Sequence, residues 1–117
     1  MLKDTELAWA AGFFDGEGHS STATKCRNKY TRRFRVAITQ THRDVLDRFR
    51  DALGCLGVVR GPYGPYSGHS PFWTYATDAA ADSIAVMTHL YPFLSKVKRE
   101  QFDTAFGLYC STRKAVE

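Results

Sequence analysis

The segment Leu7-Ala8-Trp9-Ala10-Ala11-Gly12-Phe13-Phe14-Asp15-Gly16-Glu17-Gly18 most constrains what this chain can fold into. Written on a helix, Ala8, Ala11, Gly12 and Asp15 fall at i, i+3, i+4 and i+7, so one face carries almost no side-chain bulk and a second helix backbone can approach it closely. The opposite face carries Leu7, Ala10, Phe13 and Phe14, which can anchor the helix in a core. Gly16 and Gly18 permit a sharp exit, and Glu17 between them stands at the negative end of the helix dipole. A carboxylate there is unfavourable unless a cation is nearby. The plain reading is a core helix ending in a glycine-rich turn; the more specific one is a dimer seam that ends in a metal site.

Length bounds the organisation. At 117 residues the chain fits one compact domain, 1–117, and is too short for two copies of a fold built on this helix. One such helix per chain therefore points to a homodimer. Apolar content of 44% and charged content of 24% are ordinary for a folded protein. No apolar run approaches the roughly 20 residues that span a bilayer, so no membrane partner is expected. Asp4 and Glu6 near the start argue against a signal peptide, and an intracellular protein, in a bacterial or phage cytoplasm or an organelle, is expected. Cys26, Cys55 and Cys110 are odd in number and widely spaced, and His19, His42, His69 and His89 show no ligand spacing, so neither a disulfide framework nor a zinc site is indicated.

The formal charge of +4 is modest but unevenly spread. Lys25, Arg27, Lys29, Arg32, Arg33 and Arg35 follow one another without an intervening acid. Such a run is commonly a solvated face. Here it alternates with Phe34, Val36 and Ile38, which gives a strand with an apolar row on one side and Arg33 and Arg35 on the other. A basic ribbon can enter the major groove of duplex DNA, where Arg pairs bidentately with guanine edges. RNA and an anionic protein surface are the competing partners. The groove-facing set would be Arg33 and Arg35 on one strand, Ser21, Lys25 and Arg27 on its neighbour, and Arg60 and Thr74 on a second hairpin. A one-residue slip in register would reverse every face.

Along the chain, His19 to about Asn28 reads as a strand, Lys29-Tyr30 as a turn, and about Arg32 to Thr39 as the returning strand. Thr41, with Asp44 three residues on, reads as the cap of a helix through Val45, Leu46, Phe49, Ala52 and Leu53, stopped by Gly54. Val58 to Arg60 starts a third strand, Gly61 to Gly68 is a turn-forming segment, and Phe72 to Thr77 is a fourth strand. The tyrosines of Gly-Pro-Tyr-Gly-Pro-Tyr serve either as groove contacts or as packing. Asp78 reads as the cap of a helix through Ala80, Ile84, Met87 and Leu90 that Pro92 ends. A last helix, about Ser95 to Tyr109, is expected to bury Val97, Phe102, Ala105, Phe106 and Tyr109.

The string Ala10 to Gly18, AAGFFDGEG, resembles the motif that names the LAGLIDADG homing endonucleases, with identity at Ala11, Gly12, Asp15 and Gly18. Phe13 and Phe14 replace aliphatics, Gly16 a small residue, and Glu17 the usual metal-binding Asp, while Ala10 departs from the favoured Leu. The order of elements agrees with that family's α+β fold, α-ββα-ββα-α, in which a curved antiparallel sheet forms a saddle over DNA. The agreement runs from about Thr5 to Phe106. Ile38-Thr39-Gln40 matches where the family often places an active-site Gln, and Pro92-Phe93-Leu94 followed by Lys96 to Gln101 looks like the segment that supplies an active-site Lys, with Lys98 preferred and Lys96 the alternative.

The resemblance implies metal-assisted phosphodiester hydrolysis. Carboxylate-held Mg²⁺, with Mn²⁺ as a substitute, would stabilise charge on the phosphate. Glu17 and the Gly16 carbonyl would be metal ligands, Gln40 would order water, Lys98 would offset phosphate charge, and Asp15 would bond backbone groups at the packed helix ends. Two copies joined through Ala8, Ala11, Gly12 and Asp15 would bring two Glu17 carboxylates over one duplex. That arrangement implies a homodimeric endonuclease making a staggered double-strand break at a long, nearly palindromic site, as in intron homing. The alternative is a DNA- or RNA-binding protein of the same fold, a splicing maturase or regulator, that has lost catalysis.

Overall fold

The computed structural model describes residues 2–23 and 33–116. Helix α1 (Asp4–Glu17) leads into strand β1 (Gly18–Ala23), and β2 (Arg33–Gln40) is followed by α2 (Arg43–Ala52). Strands β3 (Val58–Tyr63) and β4 (Phe72–Ala76) form the second hairpin, and α3 (Ala80–Leu90), a 3₁₀ turn (Tyr91–Phe93) and α4 (Lys96–Val116) complete the chain. The four strands form one antiparallel sheet in the order β1-β2-β4-β3.

Alternation in β2 divides the sheet into two surfaces. Phe34, Val36 and Ile38 are fully buried, while Arg35 and Thr39 between them are exposed. The buried row packs with Tyr75 of β4 against Leu7, Ala10, Ala11 and Phe14 of α1, Leu46 and Phe49 of α2, and Val86, Met87 and Leu90 of α3. Helices therefore cover one face and leave the other to solvent. Burial of this aliphatic and aromatic set, at roughly 1.5–3 kcal/mol per large side chain, is what holds the layers together.

A buried polar latch joins the layers. Thr77 and Ser83 are fully buried; the Val36 N–H donates to Thr77 Oγ1 at 3.0 Å, and the Thr77 N–H donates to the Val36 carbonyl at 3.0 Å. Ser83 Oγ lies 2.6 Å from Thr77 Oγ1 and donates to the Phe34 carbonyl at 2.8 Å. Thr77 thus continues the β2–β4 ladder past the end of β4, so the Val36 N–H and the Val36 and Phe34 carbonyls find partners where the strand enters the core.

Several local expectations change. The Thr41 cap is not used: α2 starts at Arg43 with His42 as N-cap and no side-chain cap bond. Asp78 does not cap α3, whose N-cap is Ala79, because its carboxylate pairs with Arg60 instead. Strand β3 continues through Gly61 and Pro62 to Tyr63, with a register irregularity after Arg60. Val97 is not buried but 62% exposed. It lies five residues from Phe102, about 140° around the helix from the stripe of Phe102, Ala105, Phe106 and Tyr109 that packs inward. The first strand is described only as far as Ala23, so the proposed turn at Lys29-Tyr30 lies outside the described residues. Among the described residues no helix is long and apolar enough to cross a membrane.

Candidate active site and nucleic-acid interface

The last turn of α1 contains two acids and no base. Asp15 is matched within the chain: its carboxylate accepts the Ser95 backbone N–H at 3.1 and 3.2 Å and the Ser95 hydroxyl at 2.9 Å. Ser95 in turn precedes α4, with its Oγ 3.4 Å from the Lys98 N–H and its carbonyl accepting from the Arg99 N–H. Asp15 therefore ties the end of α1 to the start of α4 as a structural residue. Glu17 is exposed and has no hydrogen-bond or ion-pair partner among the described residues. A free carboxylate at the negative end of a helix is an unbalanced charge that a cation would relieve.

The sheet brings the other candidates to this end. Gly18, the residue after Glu17, is opposite Ile38, and β2 runs only two residues further to Gln40. Glu17 and Gln40 thus leave the sheet together. Lys98 in the first turns of α4 has its Nζ 5.6 Å from the centroid of the Phe14 ring, one turn before Glu17, and donates to Gln101 Oε1 at 3.3 Å. Lys96 points elsewhere: its side chain is 90% exposed and its Nζ reaches only Glu100, at 4.0 Å. The structure brings Lys98, not Lys96, to the end of α1.

With Asp15 engaged, the end of α1 offers, among the described residues, one unpaired carboxylate and adjacent backbone carbonyls, an all-oxygen set that suits a hard divalent cation. No group of three or more His, Cys, Asp or Glu that could hold a metal occurs among the described residues. The oxygen donors fit magnesium in kind, and a second copy of Glu17 would be needed to complete them in number.

The small face of α1 is narrower than the sequence implies. Ala8 and Gly12 are exposed, but Ala11 is fully buried in this chain's own core, between Leu7 and Phe14 at i−4 and i+3. It belongs to the anchoring stripe, and the outward row is Ala8, Gly12 and Gly16. A Cβ built at Gly12 or Gly16 meets nothing within 4 Å. Phe93 and Val97, on either side of the Ser95 that holds Asp15, are 39% and 62% exposed.

On the open face of the sheet, Arg35, Ala37, Thr39, Arg60, Tyr63, Tyr66, Phe72, Thr74 and Ala76 line a shallow hollow of about 400 Å³. The expected parity holds for Arg35, Arg60 and Thr74; the register opposes Thr74 to both Thr39 and Arg60, and Ser21 to Arg35. Arg33 stands at the start of β2 opposite Ala23, and Lys25 and Arg27 lie outside the described residues. Arg35 has no ion-pair partner among the described residues. Arg60 differs: it forms a two-point pair with Asp78, whose hydrogen bond and then charge push the guanidinium pKa above its usual value. Sequence parity puts Arg60 on the open face, as found, but gives no sign of this pairing, since the partner lies across the hairpin.

No family model matches the sequence, and neither does any curated protein. Solved structures do match. The homing endonuclease I-TnaI aligns over 97% of this chain and 71% of its own, at 23% identity and TM-score 0.61. I-CvuI, solved with a DNA target in the presence of magnesium, aligns over 94% of this chain and 67% of its own at 22% identity and TM-score 0.62. The archaeal intron-encoded homing endonuclease I-Vdi141I, complexed with DNA, aligns over 77% of this chain at 21% identity and TM-score 0.61. The chain spans little more than half of that protein's length, 56%. A LAGLIDADG homing endonuclease, I-GzeII, solved with its DNA target, aligns over 80% of this chain at 14% identity and TM-score 0.60, and the chain has the LAGLIDADG homing endonuclease fold.

Proposed function

We propose that the chain is a divalent-metal-dependent, site-specific DNA endonuclease that works as a homodimer. The observation that carries this reading is Glu17, an unmatched carboxylate at the end of a helix whose outward row is Ala8, Gly12 and Gly16. Glycine in a helix costs about 1 kcal/mol relative to Ala, and neither Gly12 nor Gly16 is required by this chain's own packing. A second copy of α1 packed on that row, flanked by Phe93 and Val97, would use the missing bulk and bring two Glu17 side chains together. DNA would lie along the open face, with Arg35 and its neighbours toward the bases.

Glu17 and the Gly16 carbonyl would hold Mg²⁺, which Mn²⁺ could replace. The ion would supply positive charge at the scissile phosphate and acidify a bound water. Gln40 would orient that water. Lys98, kept near the site by its contact with Phe14 and its bond to Gln101, would place a cation beside the charge that develops on the phosphate. Asp15 would act only by fixing α1 against α4.

The test is cleavage of a randomised duplex library with Mg²⁺ and with EDTA, beside Glu17→Gln. A staggered double-strand cut by the wild type alone, abolished by EDTA, is expected. Selective binding by both proteins with cutting by neither would make the chain a non-cleaving DNA-binding protein of this fold. No binding by either would overturn the DNA reading.

A further inference from the structure

The end of the β3–β4 hairpin carries a group of rings that neither the core nor the proposed catalysis uses. Tyr63 and Phe72 pack with centroids 5.6 Å apart, and Tyr66 and Phe72 at 6.1 Å. Despite that packing Tyr63 is 39% and Tyr66 59% exposed, on the same open face as Arg35, Thr39 and Thr74. An apolar cluster held out toward solvent on a surface otherwise shaped for a polyanion calls for an apolar feature on the partner.

Register locates that feature. Gln40 is opposite Trp73, so the hairpin end lies beside Gln40 and Glu17 rather than at the far end of the sheet. The Arg35 backbone, five residues back along β2, stands about 17 Å from Gln40, at the other side of the hollow that it lines with the rings. The charge next to the rings is internally matched, because Arg60 is held by Asp78. Among the described residues the β3–β4 hairpin thus offers no unmatched guanidinium for the acceptor edge of guanine, and the unmatched one on this face, Arg35, comes from β2. In the major groove the one apolar group on a base edge is the thymine C5 methyl.

We propose that Tyr63, Tyr66 and Phe72 are specificity-determining residues that read thymine methyl groups at the base pairs nearest the cut. This rests on the DNA-binding reading above. The sheet then reads a half-site in two chemistries, with hydrogen bonds from Arg35 outward and methyl contacts from the rings inward. Stacking of unpaired bases on the rings is a different mode and would show as a preference for single strands.

Sites are first selected from a randomised duplex library with the wild-type protein in Ca²⁺, and thymine is expected to be enriched at the positions flanking the cut. Each such thymine is then replaced by uracil, which removes only the methyl. Wild-type affinity is expected to fall about fourfold per methyl, the ratio for one buried CH₂ or CH₃ group. Tyr66→Ser, at an exposed position and checked for an unchanged thermal midpoint, is expected to show a smaller difference between the thymine and uracil sites than the wild type. Equal affinity of the wild type for both sites, an undiminished uracil effect in Tyr66→Ser, or tighter binding to single strands would overturn the proposal. Failure of the wild type to select any duplex would instead overturn the DNA-binding reading on which it stands.

Discussion

Asp15 and Glu17 are two residues apart on one helix and are used in opposite ways. Asp15 accepts three hydrogen bonds from Ser95, and Glu17 accepts none from the described residues. Asp15→Ala should therefore lower stability by about 1–2 kcal/mol, since the Ser95 N–H loses its partner. Glu17→Gln should leave stability unchanged or raise it by about 0.3–1 kcal/mol, because a charge is removed from the negative end of a helix. Urea titration of both variants beside cleavage assays checks the pair: stability lost at Asp15, activity lost at Glu17. A drop in stability for Glu17→Gln would mean that the carboxylate serves the fold. Tyr75 carries a separate prediction. It is fully enclosed, its hydroxyl donates to the Leu56 carbonyl at 2.8 Å, and burial raises its pKa above the usual value of 10.0. Above about pH 10 the unfolded chain releases this proton while the folded chain keeps it, so stability is full below that pH and falls as pH rises through it. Urea midpoints from pH 8 to 11 should decline at the alkaline end, and less steeply in Tyr75→Phe.

At the scale of elements, α1 is the part most open to test. Gly12→Leu should leave each chain folded, since nothing lies within 4 Å of its Cβ position, yet split a dimer built on that face. Sedimentation should then show a monomer where the wild type shows a dimer; a wild-type monomer would refute the seam. The order of helices and strands was legible because each reports its own period: Phe34, Val36 and Ile38 alternate, and Leu46, Phe49 and Leu53 recur at helical spacing. Caps were not legible, because Asp78 had a competing partner in Arg60 that only the tertiary fold supplies. Ala11 was misplaced for a related reason. Small residues fit either face of a helix, and only the buried Leu7 and Phe14 around it settle which one it joins. For the proposed site, a motif and two flanking strings name Glu17, Gln40 and Lys98, and the resemblance implies that Asp15 bonds backbone groups, but its partner Ser95, 80 residues away, is supplied only by the tertiary fold.

For the molecule as a whole, the balance between its layers decides how it would meet a polyanion. The helices and buried latch back one face of the sheet, and the open face carries only part of the net charge of +4. A protein that neutralises phosphates displaces condensed counterions, and each such contact steepens the dependence of log K on log salt by about 0.9. The pair between Arg60 and Asp78 changes that count. A guanidinium already neutralised by its own chain displaces no sodium from DNA, so this sheet should bind with a shallower salt dependence than its arginines alone imply. Asp78→Asn would release Arg60 and steepen the slope by about one unit, measured by fluorescence anisotropy between 50 and 200 mM KCl. An unchanged slope would mean that Arg60 already reaches a phosphate in the complex. On the DNA-binding reading, the Asp78 carboxylate would act as a built-in counterion, making affinity less sensitive to ionic strength and leaving more of it to contacts that differ from one base pair to the next.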